Sequence, residues 1–469
     1  MRISVNKIRF FLGCVCVAFS LGCASSDKHN SSTKNLHSIA TDVYLLGLPL
    51  VANEFIDRRL PAKNVLLCTE EATDPALGTI DTLTMDTRGV VARLDVTDQA
   101  FILRMPAIKD RFYSFSFFDS WTNVFAHIGS REPVNEETDF LLVGPSWDGQ
   151  VPPRTKLLRS PTNLLSMVGR LQLNGPKDVA RVNALQKKIR LFSYKSDTLQ
   201  PLSPFLRKHK PNTPKSMTLP VSAEIDKLSA DEYFALLHRL LKANPLNPLD
   251  AEMNDKIKAL GLANEVFTPS QEVKDALSGV VVRAGVRMQT LVNKLYDPSF
   301  ASWRTNPKEF KIGELGKNYT FRAFVAKFYI GSVLPEDTTY YQVTVDTQNK
   351  PLKGNENYVL KFDKDSLPPV NAFWSITTYG QFGKSFRNEK VTIGSRYRLV
   401  SEPDGAVKIL VQASAPSKPE AVNWLAIPKN ENFSLIMRLF LPKETVLSRE
   451  WSPPGVERTS SPDVDQGTR

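Results

Sequence analysis

The chain is poor in the residues that metal and disulfide chemistry require. Its 469 residues include 5 histidines and 4 cysteines. The histidines (His29, His37, His127, His209 and His238) stand apart, with no His-x-His or HExxH spacing. Metal sites draw ligands from short, fixed spacings, so neither a metal nor another cofactor is expected. Three of the cysteines, Cys14, Cys16 and Cys23, fall in the first 23 residues. If that segment is processed, Cys68 is the only thiol left, and an intramolecular disulfide is excluded. Cys68 sits in the apolar stretch NVLLCTE and reads as a small buried hydrophobe, not a nucleophile. A Gly-x-Ser-x-Gly elbow, a Walker loop and a GxGxxG turn are also missing. A Ser-x-x-Lys match at Ser25–Lys28 falls in a polar stretch and is a chance match. No catalytic residue is assigned. Glycine is scarcer than proline, 23 against 32, which favours strands, rigid turns and extended connectors over long helices.

What is present begins with an N-terminal targeting pattern. Arg2, Lys7 and Arg9 surround or precede an apolar run, Phe10–Leu21. A run of about a dozen residues is too short to span a bilayer as a helix. It ends in SLGC, Ser20–Cys23, which resembles a bacterial lipobox, with Ser20 where that motif more often has leucine. The resemblance implies cleavage after Gly22 and lipidation of Cys23. Ala24, Ser25 and Ser26 follow in place of aspartate, which by the same resemblance favours outer-membrane sorting. The expectation is a lipoprotein anchored in the outer membrane and facing the periplasm; the alternative is a plain cleaved signal peptide and a soluble periplasmic protein. Removing Arg2, Lys7 and Arg9 leaves 57 basic against 49 acidic groups, so the formal charge falls from +11 to +8. That excess suits anionic envelope polymers, glycans or lipid headgroups. Nucleic acid is not an expected partner, since no aromatic-plus-basic stacking motif is present.

The composition, 42% hydrophobic and 23% charged, is that of a globular chain, and the length calls for about two to four domains. Residues 24–36 are small and polar, as in a flexible tether. Ile39, Val43, Leu46, Leu50 and Val51 follow helical spacing, interrupted at Pro49. From Val65 to Val143 the pattern is strands: RGVVARLDV, AFILRMP, RFYSFSFF and FLLVGPSWDG, set between Asp, Gly and Pro turns, as in a β-sandwich. Helical periodicity returns at Ser166–Val168 and at Val179–Ile189. Residues 195–222 carry five prolines and the basic cluster Arg207, Lys208, His209 and Lys210. A solvated connector is the expected reading there, with an anion-contacting patch as the alternative. LSADEYFALLHRLLKANP then offers Ser229 and Glu232 as a capping box and Tyr233, Leu236, Leu237 and Leu240 as an apolar stripe. After Asn318, TTYYQVTV, ENYVLKF, AFWSITTY, RYRLVS, AVKILVQA and FSLIMRLFL read as strands of a second, jelly-roll-type sandwich.

Two ordered series of motifs carry a family resemblance. YLLGLPL (Tyr44–Leu50), MDTRGVVARLDV, DRFYSFSFFDSWTNVFAHIGSR, LLVGPSWDG and SPTNLLSMVGR (Ser160–Arg170) resemble the domain-of-unknown-function family numbered 1254. PLKGNENYVLKF, LPPVNAFWSITTYG, NWLAIP, MRLFLP and WSPPGV resemble its companion, numbered 1214. Together they cover most of residues 44–458. The resemblance implies a mainly β protein with a helical insert: an N-terminal Ig-like β-sandwich, a small α-helical domain and a C-terminal jelly-roll-like β-sandwich. It brings no established reaction. The expected division is a leader at 1–22, a tether at 23–37, the first sandwich at 38–194 and a proline-rich linker at 195–227. The helical domain follows at 228–298, the second sandwich at 299–456 and a disordered tail at 457–469. One departure stands out. Where relatives have Asp-Thr-Leu-Tyr, this chain has Asp86-Thr87-Arg88-Gly89. If that tyrosine lines a ligand site in relatives, the site here is either larger and more cationic or lost.

Two groups of candidate binding residues follow. The first comprises Asp86 and Thr87 at a strand start, with Asp119, Asn123 and Arg131 in DRFYSFSFFDSWTNVFAHIGSR. Asp86, Asp95 and Asp119 offer carboxylates at strand ends; a glycosidase would need two of them roughly 5–10 Å apart, whereas strand-end aspartates more often cap turns. For Asp119 and Asn123 the reading is a structural polar corner, with pocket lining as the alternative. The second group, Trp374, Tyr379, Asn388, Asn423 and Trp424, combines aromatic faces with amides, as sugar-binding surfaces do; core packing of the tryptophans is the competing reading. The expected function is ligand or partner binding at the cell envelope. The alternatives are an envelope hydrolase acting on a glycan or ester through strand-end carboxylates, and homo-oligomer assembly through sandwich edges.

Overall fold

The computed structural model describes residues 27–60, 62–69, 85–195, 198–202, 205–207, 221–294, 303–305, 313, 315–380, 390–417 and 420–459. The expected leader, Cys23, the basic cluster from Lys208 to Lys210, and Asn388 lie outside them.

The described chain opens with a helix, α1 (Asp27–Asp57), which begins inside the expected tether. Pro49 lies within α1 and does not end it. The reason is burial. Val43, Leu45, Leu46, Leu48, Leu50, Val51 and Ala52 are all inaccessible, so the helix around Pro49 is apolar on every side and is held by its surroundings. Proline's missing backbone donor is tolerated where packing, not the hydrogen-bond ladder, fixes the path. The stretch from Asn35 to Asp57 is long and apolar enough to cross a membrane by composition, yet it is mostly buried inside the protein.

The first sandwich follows in chain order. Its strands are β1 (Leu67–Thr69), β2 (Thr87–Asp95), β3 (Ala100–Met105), β4 (Tyr113–Asp119), β5 (Val124–Gly129) and β6 (Thr138–Val143). Then come β7 (Thr155–Arg159), β8 (Leu164–Gln172), the helix α2 (Val179–Gln186), β9 (Arg190–Lys195), β10 (Thr198–Leu202) and β11 (Phe205–Arg207). One sheet has the order β11-β1-β2-β8-β4-β5, the other β10-β9-β3-β6-β7. Alternate residues from both sheets meet in one core: Tyr113, Phe115 and Phe117 of β4 pack with Phe101 and Leu103 of β3 and Leu142 of β6. Two expectations fail here. Ser166–Val168 is not helical but the middle of β8, where burial alternates residue by residue. The proline-rich segment is not only a linker: it supplies β10 and β11 at the edges of the two sheets. Pro201 sits in β10, an edge strand, where a missing donor costs little.

Six more helices follow: α3 (Val221–Ile225), α4 (Ala230–Ala243), α5 (Met253–Ala259), α6 (Gln271–Leu277), α7 (Val280–Lys294) and α8 (Tyr319–Phe328). The capping box forms as expected: Ser229 Oγ accepts from the Glu232 amide at 3.2 Å, and the Ser229 amide donates to Glu232 Oε2 at 2.8 Å. Tyr233, Leu237 and Leu240 of α4 are buried against α1 in the shared helical core, and Tyr233 stacks on Tyr44 at 4.1 Å. A side chain at Gly47 would place its Cβ 2.6 Å from Leu237 Cδ2, so glycine is what lets α1 and α4 approach. The helical domain is thus built around α1 and closed by α8. Its boundaries differ from the expected 228–298 at both ends, and the sandwiches begin later than 38 and 299.

The second sandwich contains β12 (Thr338–Val343), β13 (Asn357–Phe362), β14 (Val370–Tyr379), β15 (Thr392–Gly394), β16 (Val407–Gln412), β17 (Trp424–Ala426), β18 (Ser434–Pro442) and β19 (Val456–Thr459). Its sheets have the orders β12-β18-β14-β15 and β17-β16-β13-β19. Trp374 of β14 packs on Phe362 of β13 across the core at 5.6 Å. RYRLVS is a turn and loop, not a strand; pairing ends at Gly394. The expected tail starts too early, because β19 pairs with β13 through Thr459.

The domains are joined by inserted side chains. The turn after β4 drives Trp121 into the helical core, where it is 0% exposed and its Nε1 donates to the Pro245 carbonyl at 2.9 Å. Asn53 Nδ2 donates to the Ser120 carbonyl at 3.0 Å. Between the sandwiches, Phe112 meets the stacked pair Phe373 and Phe440. Replacing Trp121 by alanine removes a large side chain from a dry site, so Trp121→Ala should cost about 3–5 kcal/mol in urea denaturation. It should also separate the unfolding of the helical domain from that of the first sandwich. Unchanged stability with a single transition would contradict this role.

Candidate functional site

Asp86 is 0% exposed and lies between the two sandwiches. Its Oδ1 accepts from Arg396 Nη2 and its Oδ2 from Ser375 Oγ of β14. Arg396 Nη1 also donates to the Leu173 carbonyl, and the guanidinium lies 4.1 Å above the Phe373 ring. One carboxylate and one arginine therefore join two domains. Thr87 is buried beside Asp86 at the start of β2. At the position that departs from the family pattern, Arg88 is buried and points, by alternation, to the core side of β2 with Val90. The Gly89 carbonyl accepts from Gln186 Nε2 at 2.9 Å. Asp86 thus serves domain joining, and Thr87 is buried in β2 opposite Gln172.

Asp119 ends β4, and a register shift between Phe117 and Phe118 precedes it. It is 1% exposed. Its Oδ1 accepts from the Trp121 and Asn123 amides, both at 2.9 Å, and its Oδ2 from Asn123 Nδ2 at 3.2 Å. Thr122 in this turn has φ 67°, a left-handed position that the carboxylate's hold on both neighbours sustains. This is the structural polar corner, not a pocket wall. Burial pushes the Asp119 carboxyl up to about 6, against the lowering by Asn123, Arg322 and Trp121. Arg131 is also structural: its Nε donates to Asp337 Oδ1 at 2.7 Å, and His127 Nε2 lies 3.0 Å from the same oxygen.

Asp86 and Asp119 do not form a catalytic pair. Both lie against β8, but Asp86 adjoins Leu173 and Asp119 adjoins Leu165. Eight residues of strand place them about 26 Å apart, far beyond the spacing two glycosidase carboxylates require.

The aromatic and amide candidates also separate. Trp374 is in the core. Tyr379 is buried, and its hydroxyl accepts from Arg438 Nη2 at 2.6 Å. Asn423 is a clamp: its Nδ2 donates to the Val400 and Lys408 carbonyls, and its Oδ1 accepts from the Val400 amide. Trp424 Nε1 donates to the Gln412 carbonyl at 2.8 Å. Among the described residues they present no shared aromatic platform.

An open cleft lies beside that clamp. A cleft of about 490 Å³ is lined by Lys390, Thr392, Ile393, Tyr397, Arg398, Ala421 and Val422. Volumes of about 300–1,000 Å³ are typical of small-molecule sites. β15 supplies Thr392 and Ile393. At its end, a Cβ on Gly394 would fall 2.1 Å from the Trp374 carbonyl oxygen, so glycine permits the tight pairing from which the chain turns away. The strap that follows, from Ser395 to Val400, is fixed by Arg396 at one end and by Asn423 at the other. Tyr397 and Arg398 are held between these points on the cleft wall. Tyr397 is 40% exposed, and burial together with the Asp86 charge raises its phenol above the usual value, so it keeps its proton at neutral pH. Sequence reasoning missed Lys390, Thr392, Ile393, Tyr397, Arg398, Ala421 and Val422. Their one local signal was a pair of cations flanking a very short strand. Among the described residues no group of three or more His, Cys, Asp or Glu side chains is placed to hold a metal ion.

Residues 64–192 match the family model described as "Protein of unknown function (DUF1254)", and residues 337–444 match that of "Protein of unknown function (DUF1214)". No curated protein matches. Among solved structures, the crystal structure of the VPA0106 protein from Vibrio parahaemolyticus is similar with a TM-score of 0.67 and 20% identity. That match covers 91% of this chain and all of that one, and it establishes the shared fold. A putative uncharacterized protein from Burkholderia cenocepacia is similar at a TM-score of 0.43 and 12% identity, over 92% of this chain and 95% of that one.

Asp119 gives a test by pH. Its folded-state pKa lies above that of the unfolded chain, so the native protein binds the extra proton. Stability is therefore lost as pH rises from about 4 to above 6, by about 3 kcal/mol for a shift of this size. Asp119→Asn removes that term. The stability of the variant relative to wild type should rise by up to about 3 kcal/mol between pH 4 and pH 7 in denaturant titrations. A difference that does not change with pH would contradict the assignment.

Proposed function

The chain belongs to the family of unknown function DUF1254 in its N-terminal part and to DUF1214 in its C-terminal part, and from that premise we propose that it is an envelope-anchored ligand-binding protein. The observation that carries the reading is the cleft on the second sandwich, about 490 Å³ in volume, with its walls fixed from both sides. A binding protein needs a preformed, partly apolar hollow with a few oriented polar groups. Asn423 and the Asp86–Arg396 contact supply the preorganisation, and Tyr397 supplies a hydroxyl. The envelope part rests on the basic start, the short apolar run and SLGC ending at Cys23. The hydrolase alternative would need a carboxylate pair other than Asp86 and Asp119, which stand about 26 Å apart along the strand direction.

Two measurements test this reading. In thermal unfolding of the mature full chain against envelope-derived small molecules, one ligand class should raise the midpoint by several degrees. Such a ligand at a hundredfold excess over its dissociation constant contributes about 2.7 kcal/mol. Val422→Trp fills the cleft and should abolish the rise while leaving the unliganded midpoint close to wild type. A rise that persists in Val422→Trp places the site elsewhere. Intact-mass analysis of the membrane fraction should find a chain that starts at Cys23 and carries acyl groups. An unmodified Cys23 would end the lipoprotein reading.

A further inference from the structure

We infer that a compact inorganic anion of the halide class binds between β4 and the segment that joins α8 to β12, held by Arg170, Ser114 and Ser116. None of these residues lines the cleft beside Asn423, so the site does not depend on the ligand-binding reading. Register brings the three side chains together. Tyr113, Phe115 and Phe117 of β4 point into the sandwich core, so Ser114 and Ser116 point to the opposite face of the sheet. On that face Ser114 stands opposite Arg170 of β8 and Gly129 of β5, and Ser116 stands opposite Val168 and His127.

The joining segment covers the two serines. Arg170 Nη2 donates to the Gly331 carbonyl at 3.2 Å, and a Cβ at Gly331 would lie 3.9 Å from Val168 Cγ2, so Gly331 sits over β8. Asp337 lies against the other neighbour, where Arg131 Nε donates to its Oδ1 at 2.7 Å and His127 Nε2 of β5 is 3.0 Å away. The chain from Gly331 to Asp337 therefore crosses β4, and the Arg170 guanidinium is carried to the row that holds Ser116.

The polar groups under this crossing do not balance. Ser114 and Ser116 are both 0% exposed, and neither hydroxyl has a hydrogen-bond partner among the described residues. Arg170 Nη1 is buried and unpartnered as well. Arg170 makes no ion pair among the described residues, and Glu336, on the crossing segment, makes none either. Asp337 is already matched by Arg131 and His127. Unpaired buried hydroxyls cost free energy, and an unpaired cation costs more. Water can pair the hydroxyls but leaves the charge, whereas an anion accepts from all three groups. With both serines fully buried, the anion that fits is a compact one. It ties the first sandwich to the connector between the helical domain and the second sandwich.

The test is thermal unfolding of the full chain at fixed ionic strength, with chloride replacing gluconate. The midpoint should rise by several degrees and saturate, because an ion that binds only the folded chain stabilises it. Arg170→Met should abolish the rise. Should that variant fail to fold, Ser116→Ala should raise the chloride concentration at half-effect at least about tenfold, the scale of one hydrogen bond to a charged group. Crystals grown in bromide should show an anomalous scattering peak within hydrogen-bond reach of Ser114 Oγ, Ser116 Oγ and Arg170 Nη1. Equal midpoints in chloride and gluconate overturn the inference. So does a peak that scatters as water in bromide, or a rise that persists unchanged in both variants. A bromide peak without any rise in solution is an adventitious ion only and overturns it too.

Discussion

A single buried carboxylate, Asp86, sets the relation between the two sandwiches. It receives Arg396 and Ser375 from the second sandwich while standing at the start of β2 in the first. Taking such a pair out of water is costly, and the cost is met only if geometry is good and further hydrogen bonds are made. The Leu173 carbonyl and the Phe373 ring also contact the Arg396 guanidinium. The same arginine then fixes where Tyr397 and Arg398 stand. The electrostatics of the domain contact and the shape of the cleft are therefore parts of one arrangement.

A second junction works by apolar insertion. The corner at Asp119 presents Trp121 to the helical core, and Arg322 lies 5.9 Å over that indole while holding the buried Asp250. The carboxylate of Asp119 is spent on folding the corner back, so its value is conformational and not chemical. Placing a titratable group in so dry a location costs stability at neutral pH, but the group holds the one turn that delivers the indole.

Much of the architecture was legible. Short apolar or β-branched runs set between turn residues found β2, β3, β4, β6, β12, β13, β14, β16 and β18, and Ser229 with Glu232 marked the start of α4, because these signals are local. What failed was non-local or ambiguous in period. In β8 the apolar residues Leu164, Val168 and Leu171 also fall at helical spacing, and only pairing with β2 and β4 on both sides settles the strand. Pro49 reads as a stop unless the surrounding helices are known. Asp86 and Arg396 are 310 residues apart, so nothing near either residue announces the other. The cleft draws Lys390, Arg398 and Val422 from three separate segments, and sequence reasoning placed attention on the conspicuous tryptophans instead.

The early start of α1 at Asp27 bears on how far the protein can travel. A lipid on Cys23 would be separated from a helix that runs into the protein's own core by only Ala24, Ser25 and Ser26. Four residue steps reach at most about 14 Å when fully extended. On so short a leash the body could neither patrol the periplasmic space nor deliver cargo to an opposite membrane. It would work as a fixture at the leaflet, exchanging with molecules that leave or enter the bilayer beside it.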